Sequence, residues 1–386
     1  MSQQPQSRIY LDNNATTKID PVARKTLIDL IDLRPLNASS VHSEGQQAKT
    51  LLAKARRDLA RELGVKNSEI VFTSGSTEGL NMLLRGSAEA FHQKHRRPMN
   101  TISTEIEHSC IYQTLIALKE EGLINLTYLP VGESGAPQLH DFEKACKNGV
   151  DLAAFSAANS ETGIKLDMEG FSKCAETYDT FLVIDATALA GKEVAALPSG
   201  VSAAAFSSHK FHGPMGCGFC MVRATFPLCA QATGGGQEFE RRSGTENIPA
   251  IVSMVKAFEI AQSAHDAHAH MGNLRAHLER ELLSLCPGAK VNGTGPRLAN
   301  TANIYFPDVE GDSLLLNFDL EGLSVSLGSA CATGTLEPSR VLLKMGFSPE
   351  VARTSVRFSL SRMTTAEEIE RTLEIVTKVY SRLVRR

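Results

Sequence analysis

The chain has 386 residues, 42% of them hydrophobic, and this length predicts a large core domain with a second, smaller domain. Its formal net charge is −3, and its 40 Lys and Arg residues are spread along the chain, which argues against nucleic acid as a partner. No segment reaches the roughly 18 consecutive apolar residues that cross a bilayer, and the N-terminal residues leave no room for a signal peptide. We therefore expect a cytoplasmic protein without a membrane partner, whose eight cysteines are reduced thiols.

Short apolar runs alternate with helical patterns through the first part of the chain. Helices are predicted to begin near Ser76 and Cys110. Strands are predicted at 70–73, 101–103, 152–155, 181–184 and 203–206. Each of these strands is nearly all apolar, as in strands that are covered on both faces. The pattern predicts an α/β fold with a mainly parallel central sheet.

The last third of the chain has a different pattern. Residues 249–285 are predicted to form one long helix. After it come predicted strands at 301–306 and 322–326 and predicted helices from about Pro338 and Thr365. We interpret this part as a smaller α+β domain that packs against the first.

The segment EIVFTSGSTEGLNML, residues 69–83, has the order strand, turn of small residues, helix. Backbone N–H groups around Gly75, Ser76 and Thr77 would point at whatever lies over the helix N-terminus, and phosphate groups often bind there. Many helices begin with such residues for stability alone, so the segment by itself leaves both interpretations open.

Two charged residues of opposite sign follow predicted strands of the same sheet. Asp185 ends the run FLVIDA, and Lys210 follows the next apolar strand among Ser207, Ser208 and His209. A lysine at a sheet edge can form a Schiff base, and a nearby aspartate can keep a pyridine nitrogen protonated. Together with the turn at residue 75, these residues would bind the phosphate, ring nitrogen and aldehyde of pyridoxal phosphate.

A series of short motifs then makes the interpretation specific. In chain order they are YLDNNATT (10–17), SSVHSEG (39–45), TSGSTEG (73–79), IEHS (106–109), NSETG (159–163), SSHKFHGP (207–214), RSGTEN (242–247), GSACATGTLEPS (328–339) and VRFSLSR (356–362). From end to end the chain resembles the cysteine desulfurases, pyridoxal-phosphate enzymes of the aminotransferase class V family, in the branch with a Gly-Ser-Ala-Cys loop.

The resemblance implies a fold and a division into domains. The expected fold is that of a fold-type-I pyridoxal-phosphate-dependent transferase, with a mainly parallel central sheet covered by helices. The large cofactor-binding domain would comprise residues 16–260. The small α+β domain would combine residues 1–15 with residues 261–386 and would carry the loop of the catalytic cysteine.

The resemblance also assigns residues to the cofactor. Lys210 would form the Schiff base, Asp185 would pair with the pyridine nitrogen, and His108 would stack on the ring and could shuttle protons. The remaining cofactor-binding residues would be Gly75, Ser76, Thr77, Ser160, Ser207, His209 and Thr245. The last of these would reach the phosphate of the neighbouring subunit, which implies a homodimer.

For the substrate, the resemblance assigns Arg357 to the carboxylate of free L-cysteine, with Asn13, Asn14 and Asn159 close by. Cys331 would be the nucleophile. It lies among small and polar residues with two glycines, a composition that predicts a mobile loop. Because the thiolate is the reactive form, a group near the site must help to deprotonate Cys331, and His108 is a candidate.

The expected reaction converts L-cysteine to L-alanine and leaves a persulfide on Cys331. A protein acceptor, such as an iron–sulfur scaffold, would receive the sulfur. Two alternatives keep the fold and the cofactor, namely a selenocysteine lyase and a transaminase that makes no use of the thiol. A third alternative is a weakened relative that serves as a non-catalytic scaffold in a sulfur-transfer complex.

Two positions depart from the family pattern and prompt that third alternative. Ser160 stands where the family usually has a second asparagine, and Ala188 stands where it usually has a glutamine that contacts the ring oxygen. Alanine has no hydrogen bond to give, so we expect an effect on rate rather than on the reaction. No metal site is predicted: the pair Cys217 and Cys220 lies in an apolar strand, and the histidines at 265, 268 and 270 are expected on a solvated face.

Overall fold

A computed structural model describes residues 8–33, 35–328 and 337–384. Its strands are β1 (Ile9–Tyr10), β2 (Ile70–Thr73), β3 (Met99–Ser103), β4 (Ile124–Tyr128), β5 (Leu152–Ser156), β6 (Phe181–Asp185), β7 (Val201–Ser207), β8 (Gly218–Val222), β9 (Lys290–Val291), β10 (Thr301–Tyr305), β11 (Leu323–Ser324), β12 (Ser326–Leu327) and β13 (Ser355–Ser359). Its α-helices are α1 (Pro21–Ile31), α2 (Ser43–Leu63), α3 (Ser76–His95), α4 (Ser109–Glu120), α5 (Leu139–Lys147), α6 (Met168–Thr177), α7 (Ile248–Gln262), α8 (His265–Leu285), α9 (Gly311–Leu320), α10 (Arg340–Lys344), α11 (Pro349–Thr354) and α12 (Ala366–Leu383).

A seven-stranded sheet in the order β2-β8-β7-β6-β5-β3-β4 forms the centre of the structure. From β7 to β4 every pair of neighbouring strands is parallel. The strand β8 is antiparallel to both of its neighbours because a short connection, residues 208–217, turns the chain back directly after β7. The predicted mainly parallel sheet covered by helices is confirmed.

Apolar side chains on both faces of the sheet explain why its strands are almost uniformly apolar. Successive residues of a strand point to opposite faces. Ile184 and Phe206 pack on one face with residues of α2, α5, α6 and α7, whereas Val183 and Ala205 pack on the other face with α3 and α4. In strands that are covered on both faces, polar residues stand mainly at the strand ends. The candidate active site lies at such ends of the central sheet.

A second, four-stranded sheet has the antiparallel order β12-β13-β10-β9, and next to it β1 pairs in parallel with β11. The hydrophobic core beside this four-stranded sheet contains residues of α8, α9 and α12. Ile9 and Leu11, from the N-terminal part of the chain, belong to the same core. The division into domains at residue 260 stays a prediction. Among the described residues, none of the helices combines the length and the apolar character that a bilayer crossing requires.

The prediction of one long helix at 249–285 is wrong. The structure has two helices, α7 and α8, with a break at Ser263 and Ala264. The hydroxyl of Ser263 donates hydrogen bonds to the carbonyl oxygens of Glu259 and Ile260, and such bonds to the preceding turn bend or end helices. The expected solvated face is also wrong for His268, which is only 8% exposed.

Candidate active site

A cavity of about 610 Å³ lies at the carboxyl-terminal edge of the central sheet, the usual ligand site of open α/β sheets. It is lined by residues at the ends of β5, β6 and β7 and by the loops that follow β2 and β3. The predicted site residues that line it are Asn14, Gly75, Ser76, Thr77, His108, Asn159, Ser160, Asp185, Ser207, His209, Lys210 and Arg357. Residues from distant parts of the sequence thus meet in one place.

Two predicted site residues that the structure describes, Asn13 and Thr245, do not line this cavity. The amide of Asn13 instead donates to the carbonyl oxygens of Tyr10 and Ser359, so its side chain holds the backbone of the N-terminal segment. Thr245 is exposed, and its contact with a neighbouring subunit stays a prediction. Cys331 lies outside the described residues.

Lys210 is held at the cavity by the N-terminal segment. It ends a short 3-10 turn after β7, and its Nζ atom donates hydrogen bonds to the carbonyl oxygens of Asn14 and Ala15, the latter at 2.8 Å. The backbone oxygen of Lys210 accepts a hydrogen bond from the buried side chain of Lys192. The amine is therefore positioned by hydrogen bonds to backbone carbonyls at the cavity wall.

Asp185 is the last residue of β6 and is 5% exposed. One carboxylate oxygen, Oδ1, accepts a hydrogen bond from the backbone N–H of Thr187 at 3.0 Å, and this bond orients the carboxylate. The hydroxyl of Thr187 also lines the cavity, and its buried oxygen has no hydrogen-bond partner among the described residues. Polar groups of a ligand can satisfy both side chains.

The turn before α3 brings backbone N–H groups to the other end of the cavity. Gly75, Ser76 and Thr77 line the cavity where α3 begins, together with the side chain of Ser207. The turn sits directly on Gly218, where an added Cβ would be 2.7 Å from the Cα of Gly75. Any side chain at position 218 would therefore displace the turn.

Burial keeps the two histidines of the cavity neutral. The pKa of His108 is lowered by burial and by the charges of Lys210 and Arg340, while Asp185 opposes them. The pKa of His209 falls to about 4, first because of burial and then because of Lys210 and Lys192. The Nδ1 atom of His209 lies 3.1 Å from the hydroxyl of Thr16.

Several cavity residues were not among the predicted site residues. Burial raises the pKa of Glu107 and Glu161, which favours their neutral forms, and lowers the pKa of Lys192 to about 7. Arg340 also lines the cavity. Glu107 and Glu161 belong to motifs that the sequence analysis singled out, whereas nothing in the sequence marks Lys192 or Arg340. Because burial disfavours the charge of these two carboxyl groups and Arg340 and Arg357 line the same wall, the cavity suits anionic ligands.

Described residues on either side of the gap at 329–336 lie next to Glu161, which lines the cavity. A Cβ built on Gly328 would be 3.4 Å from the Cβ of Ser339 and 3.7 Å from Oε2 of Glu161. The hydroxyl of Ser339 bonds the carboxyl group of Glu161. Arg340 donates hydrogen bonds to the carbonyl oxygens of Glu105 and Glu107. Gly328 and Ser339 thus lie beside the cavity wall, on either side of the segment that contains Cys331.

The buried side chain of His212 leads to a prediction about how stability depends on pH. Its Nδ1 donates a hydrogen bond to the carbonyl of Lys18 at 2.7 Å, and burial followed by the charge of Lys192 lowers its pKa from 6.5 to about 4. Between these pH values the unfolded chain binds a proton that the folded chain does not, so stability falls as the pH falls. In His212→Asn the unfolding free energy should depend less on pH in this window, by at most about 1.4 kcal/mol per pH unit.

Urea unfolding at a series of pH values tests this prediction. Asparagine keeps a donor for the carbonyl of Lys18 and tolerates the positive φ of 69° at position 212. His270→Asn on the exposed face of α8 is the matched control and should keep the wild-type slope. Equal slopes in all three proteins would contradict the assignment of His212 as a neutral buried histidine.

The residues of the cavity fit pyridoxal phosphate. The turn at the N-terminus of α3 suits a phosphate, Asp185 suits a protonated ring nitrogen, and Lys210 offers an amine for the aldehyde. The buried hydroxyl of Thr187 has no hydrogen-bond partner among the described residues, and a bound ligand can supply one. Among the described residues there is no group of three or more His, Cys, Asp or Glu side chains that could hold a metal ion.

Comparisons with known proteins agree with this arrangement. A curated relative, cysteine desulfurase 2 of Trichormus variabilis, is 36% identical over 98% of this chain and 94% of its own length. A solved structure of a NifS-like protein has a TM-score of 0.89 at 34% identity and covers 97% of this chain and 100% of its own. Another, described as SspA in complex with cysteine, has a TM-score of 0.80 at 27% identity and covers 92% of this chain and 100% of its own. Since residues 9–372 match the aminotransferase class V family, whose members use pyridoxal phosphate, the chain belongs to that family.

Proposed function

We propose that this protein is a pyridoxal-phosphate-dependent cysteine desulfurase, which converts L-cysteine to L-alanine and holds the released sulfur as a persulfide on Cys331. One observation carries the proposal. Lys210, Asp185 and the turn at the N-terminus of α3 meet in a single cavity, and Gly328 and Ser339, on either side of the segment that contains Cys331, lie beside Glu161 of the cavity wall.

Four groups of the chain would hold the cofactor. Lys210 would bind its aldehyde carbon, Asp185 its ring nitrogen, and the turn from Gly75 to Thr77 its phosphate, with Ser207 and His209 beside it. His108 would lie against the ring. When bound, pyridoxal phosphate accepts the electrons that the α-proton of an amino acid leaves behind. The Nζ atom of Lys210 would take that proton.

Arg357 would bind the substrate carboxylate. Its side chain is 2% exposed, its Nη2 atom pairs with Oδ1 of Asp12 at 2.7 Å, and its Nη1 atom donates to the carbonyl of Ser160 at 3.2 Å. The buried Nε–H group has no partner among the described residues. The guanidinium is thus fixed in the cavity and keeps a donor for an anion. Asn14 and Asn159 line the cavity beside it.

The transfer of sulfur from L-cysteine to Cys331 needs no external oxidant. The thiolate of Cys331 attacks the sulfur of L-cysteine, the Cβ–S bond breaks, and a proton replaces sulfur on the carbon skeleton. The products are L-alanine and a Cys331 persulfide. We propose that a protein acceptor such as an iron–sulfur scaffold receives this sulfur, that the enzyme works as a homodimer with Thr245 reaching the partner's cofactor, and that it is cytoplasmic.

Ser160 and Ala188 both line the cavity and are expected to change the rate only. The backbone oxygen of Ser160 accepts hydrogen bonds from Asn14 and Arg357, so this contact does not depend on the side chain at position 160. Ala188 offers no hydrogen bond to the ring oxygen. The reaction should proceed without that contact, more slowly than with it.

The direct test is incubation of the purified, cofactor-loaded protein with L-cysteine. We expect L-alanine and, with a reducing thiol present, sulfide in equal amounts, as measured by amino-acid analysis and a sulfide assay. Formation of 3-mercaptopyruvate, in a reaction that requires an added keto acid as amino-group acceptor, would instead indicate a transaminase. Absence of all these products from a protein that binds cofactor would indicate a non-catalytic scaffold.

Replacement of Arg357 by lysine is expected to raise the KM for L-cysteine by about 10- to 100-fold with a smaller change in kcat, because one charged, two-point hydrogen bond is lost. Steady-state kinetics with L-cysteine measure this effect. Arg353→Lys, at an exposed position of α11, is the matched control and should be unchanged. An unchanged KM in Arg357→Lys would show that another group binds the carboxylate.

A further inference from the structure

One residue of the following helix α4, Cys110, contacts the Nδ1 atom of His108. This ring nitrogen lies 3.2 Å from the backbone nitrogen of Cys110 and 2.9 Å from its Sγ atom. His108 is the N-cap residue of α4, and the N–H of Cys110 donates the capping hydrogen bond to its ring. Two atoms of Cys110 therefore contact the same ring nitrogen.

Both of these atoms act as donors toward Nδ1. A backbone N–H can only donate. The thiol of Cys110 is 8% exposed within an apolar cluster, and its burial, followed by the negative charge of Asp185, raises its pKa, so that it keeps its proton. A proton on Nδ1 would face the N–H group directly. Nδ1 therefore accepts and carries no proton of its own.

The surroundings of His108 also disfavour the cationic ring. Burial lowers its pKa, the charges of Lys210 and Arg340 lower it further, and only Asp185 opposes them. The N-terminus of α4, a helix of 12 residues, adds a partial positive charge beside the ring. A neutral imidazole with a bare Nδ1 carries its proton on Nε2.

We propose that Cys110 is a positioning residue, which holds His108 as a neutral imidazole with its proton on Nε2. The capping N–H would be present with any residue other than proline at position 110, so the thiol is the specific contribution of this side chain. It fills the space beside Nδ1 and supplies a second donor there.

This assignment changes the role expected for His108. An imidazole with a proton on Nε2 offers a hydrogen bond to groups in the cavity, and it cannot take a thiol proton at that nitrogen. His108 then acts as a donor toward the bound cofactor or substrate, and the thiol of Cys331 loses its proton to another group. The tautomer itself does not depend on the activity, whereas its catalytic role rests on the proposed function.

Nitrogen-15 NMR of the cofactor-loaded protein with labelled histidine tests the proposal. The signals of His108 are those that disappear in His108→Gln. Near neutral pH we expect a protonated Nε2 and an unprotonated Nδ1 in the wild type and in Cys110→Ser, whose hydroxyl can replace the thiol as donor. In Cys110→Ala the capping N–H is the one donor left at Nδ1, and the lost thiol opens space in which the ring can turn away from it. We therefore expect a mixture of the two tautomers and ionisation of His108 at higher pH.

The pH profile of kcat/KM gives a second readout. Its acidic limb should move to higher pH in Cys110→Ala and return toward the wild-type position in Cys110→Ser. Cys286→Ala, which removes another buried thiol in the core beside the second sheet, controls for lost packing and should leave both readouts unchanged.

A proton on Nδ1 of His108 in the wild type would overturn the proposal, whether or not the Cys110 variants fold. An unchanged tautomer and an unchanged acidic limb in Cys110→Ala would overturn it as well. If the protein fails to form alanine from L-cysteine but shows the expected tautomer, the proposed function fails and the assignment of Cys110 stands.

Discussion

Replacement of Cys331 by alanine is expected to lower the rate of alanine formation from L-cysteine on the order of 10³-fold or more, because the reaction loses its nucleophile. No other cysteine can substitute for it among the described residues. Six of the seven described cysteines are buried, the seventh, Cys229, is half-buried, and none of them lines the cavity. Alanine assays and mass spectrometry of the persulfide adduct measure the loss.

The same variant separates the alternatives. A desulfurase without its thiol should still bind the cofactor, and its absorbance should still change on addition of L-cysteine. A transaminase would keep full activity in Cys331→Ala. Cys229→Ala is the matched control, since it removes a partly accessible thiol outside the cavity, and its alanine formation should equal that of the wild type.

Replacement of Lys210 by alanine is expected to abolish the covalent attachment of the cofactor and to reduce turnover on the order of 10³-fold or more, since both the tether and the base are lost. In the wild type, borohydride reduction followed by peptide mapping should find the cofactor on the peptide that contains residue 210. In Lys210→Ala no peptide should carry it, and the visible absorbance of the Schiff base should be absent.

Lys25→Ala provides the control for this experiment. Its side chain is 75% exposed on α1 and pairs with Asp29, away from the cavity, so its loss should change neither attachment nor rate. Attachment to another lysine in the wild type would show that the cavity at Lys210 is not the cofactor site. Lys192 is the neighbour to examine first, because it lies in the same cavity and its pKa is about 7.

The central sheet could be predicted because its strands are buried on both faces. The predicted run at 181–184 ends one residue before β6 does, and the prediction at 70–73 matches β2. Amphipathic helices with many polar residues, such as α1 and α2, gave no comparably clear pattern and were not predicted. The break between α7 and α8 depends on hydrogen bonds of a single serine, which apolar periodicity does not reveal.

Site residues could be predicted where a charged residue directly follows an apolar strand. Asp185 and Lys210 stand directly after apolar runs, and small residues mark the turn at Gly75. Lys192, Glu161 and Arg340 could not be found in this way, since their position at the cavity depends on tertiary contacts. Asn13 differs from these residues, because its motif lies at the site while its side-chain amide bonds the backbone carbonyl of Ser359, and its role near the substrate stays a prediction.

The N-terminal segment has a consequence for how the protein is made. Residues Asp12 to Ala15 contact Lys210 through their carbonyl groups and Arg357 through a carboxylate, and Asn13 bonds a residue 346 positions away in the sequence. Residues 12–15 must therefore wait until residues about 345 positions later have been synthesised before the amine and the guanidinium are both in place. A nascent chain that ends before β13 should thus lack a complete amino-acid site, and capture of substrate should begin only after β13 has left the ribosome.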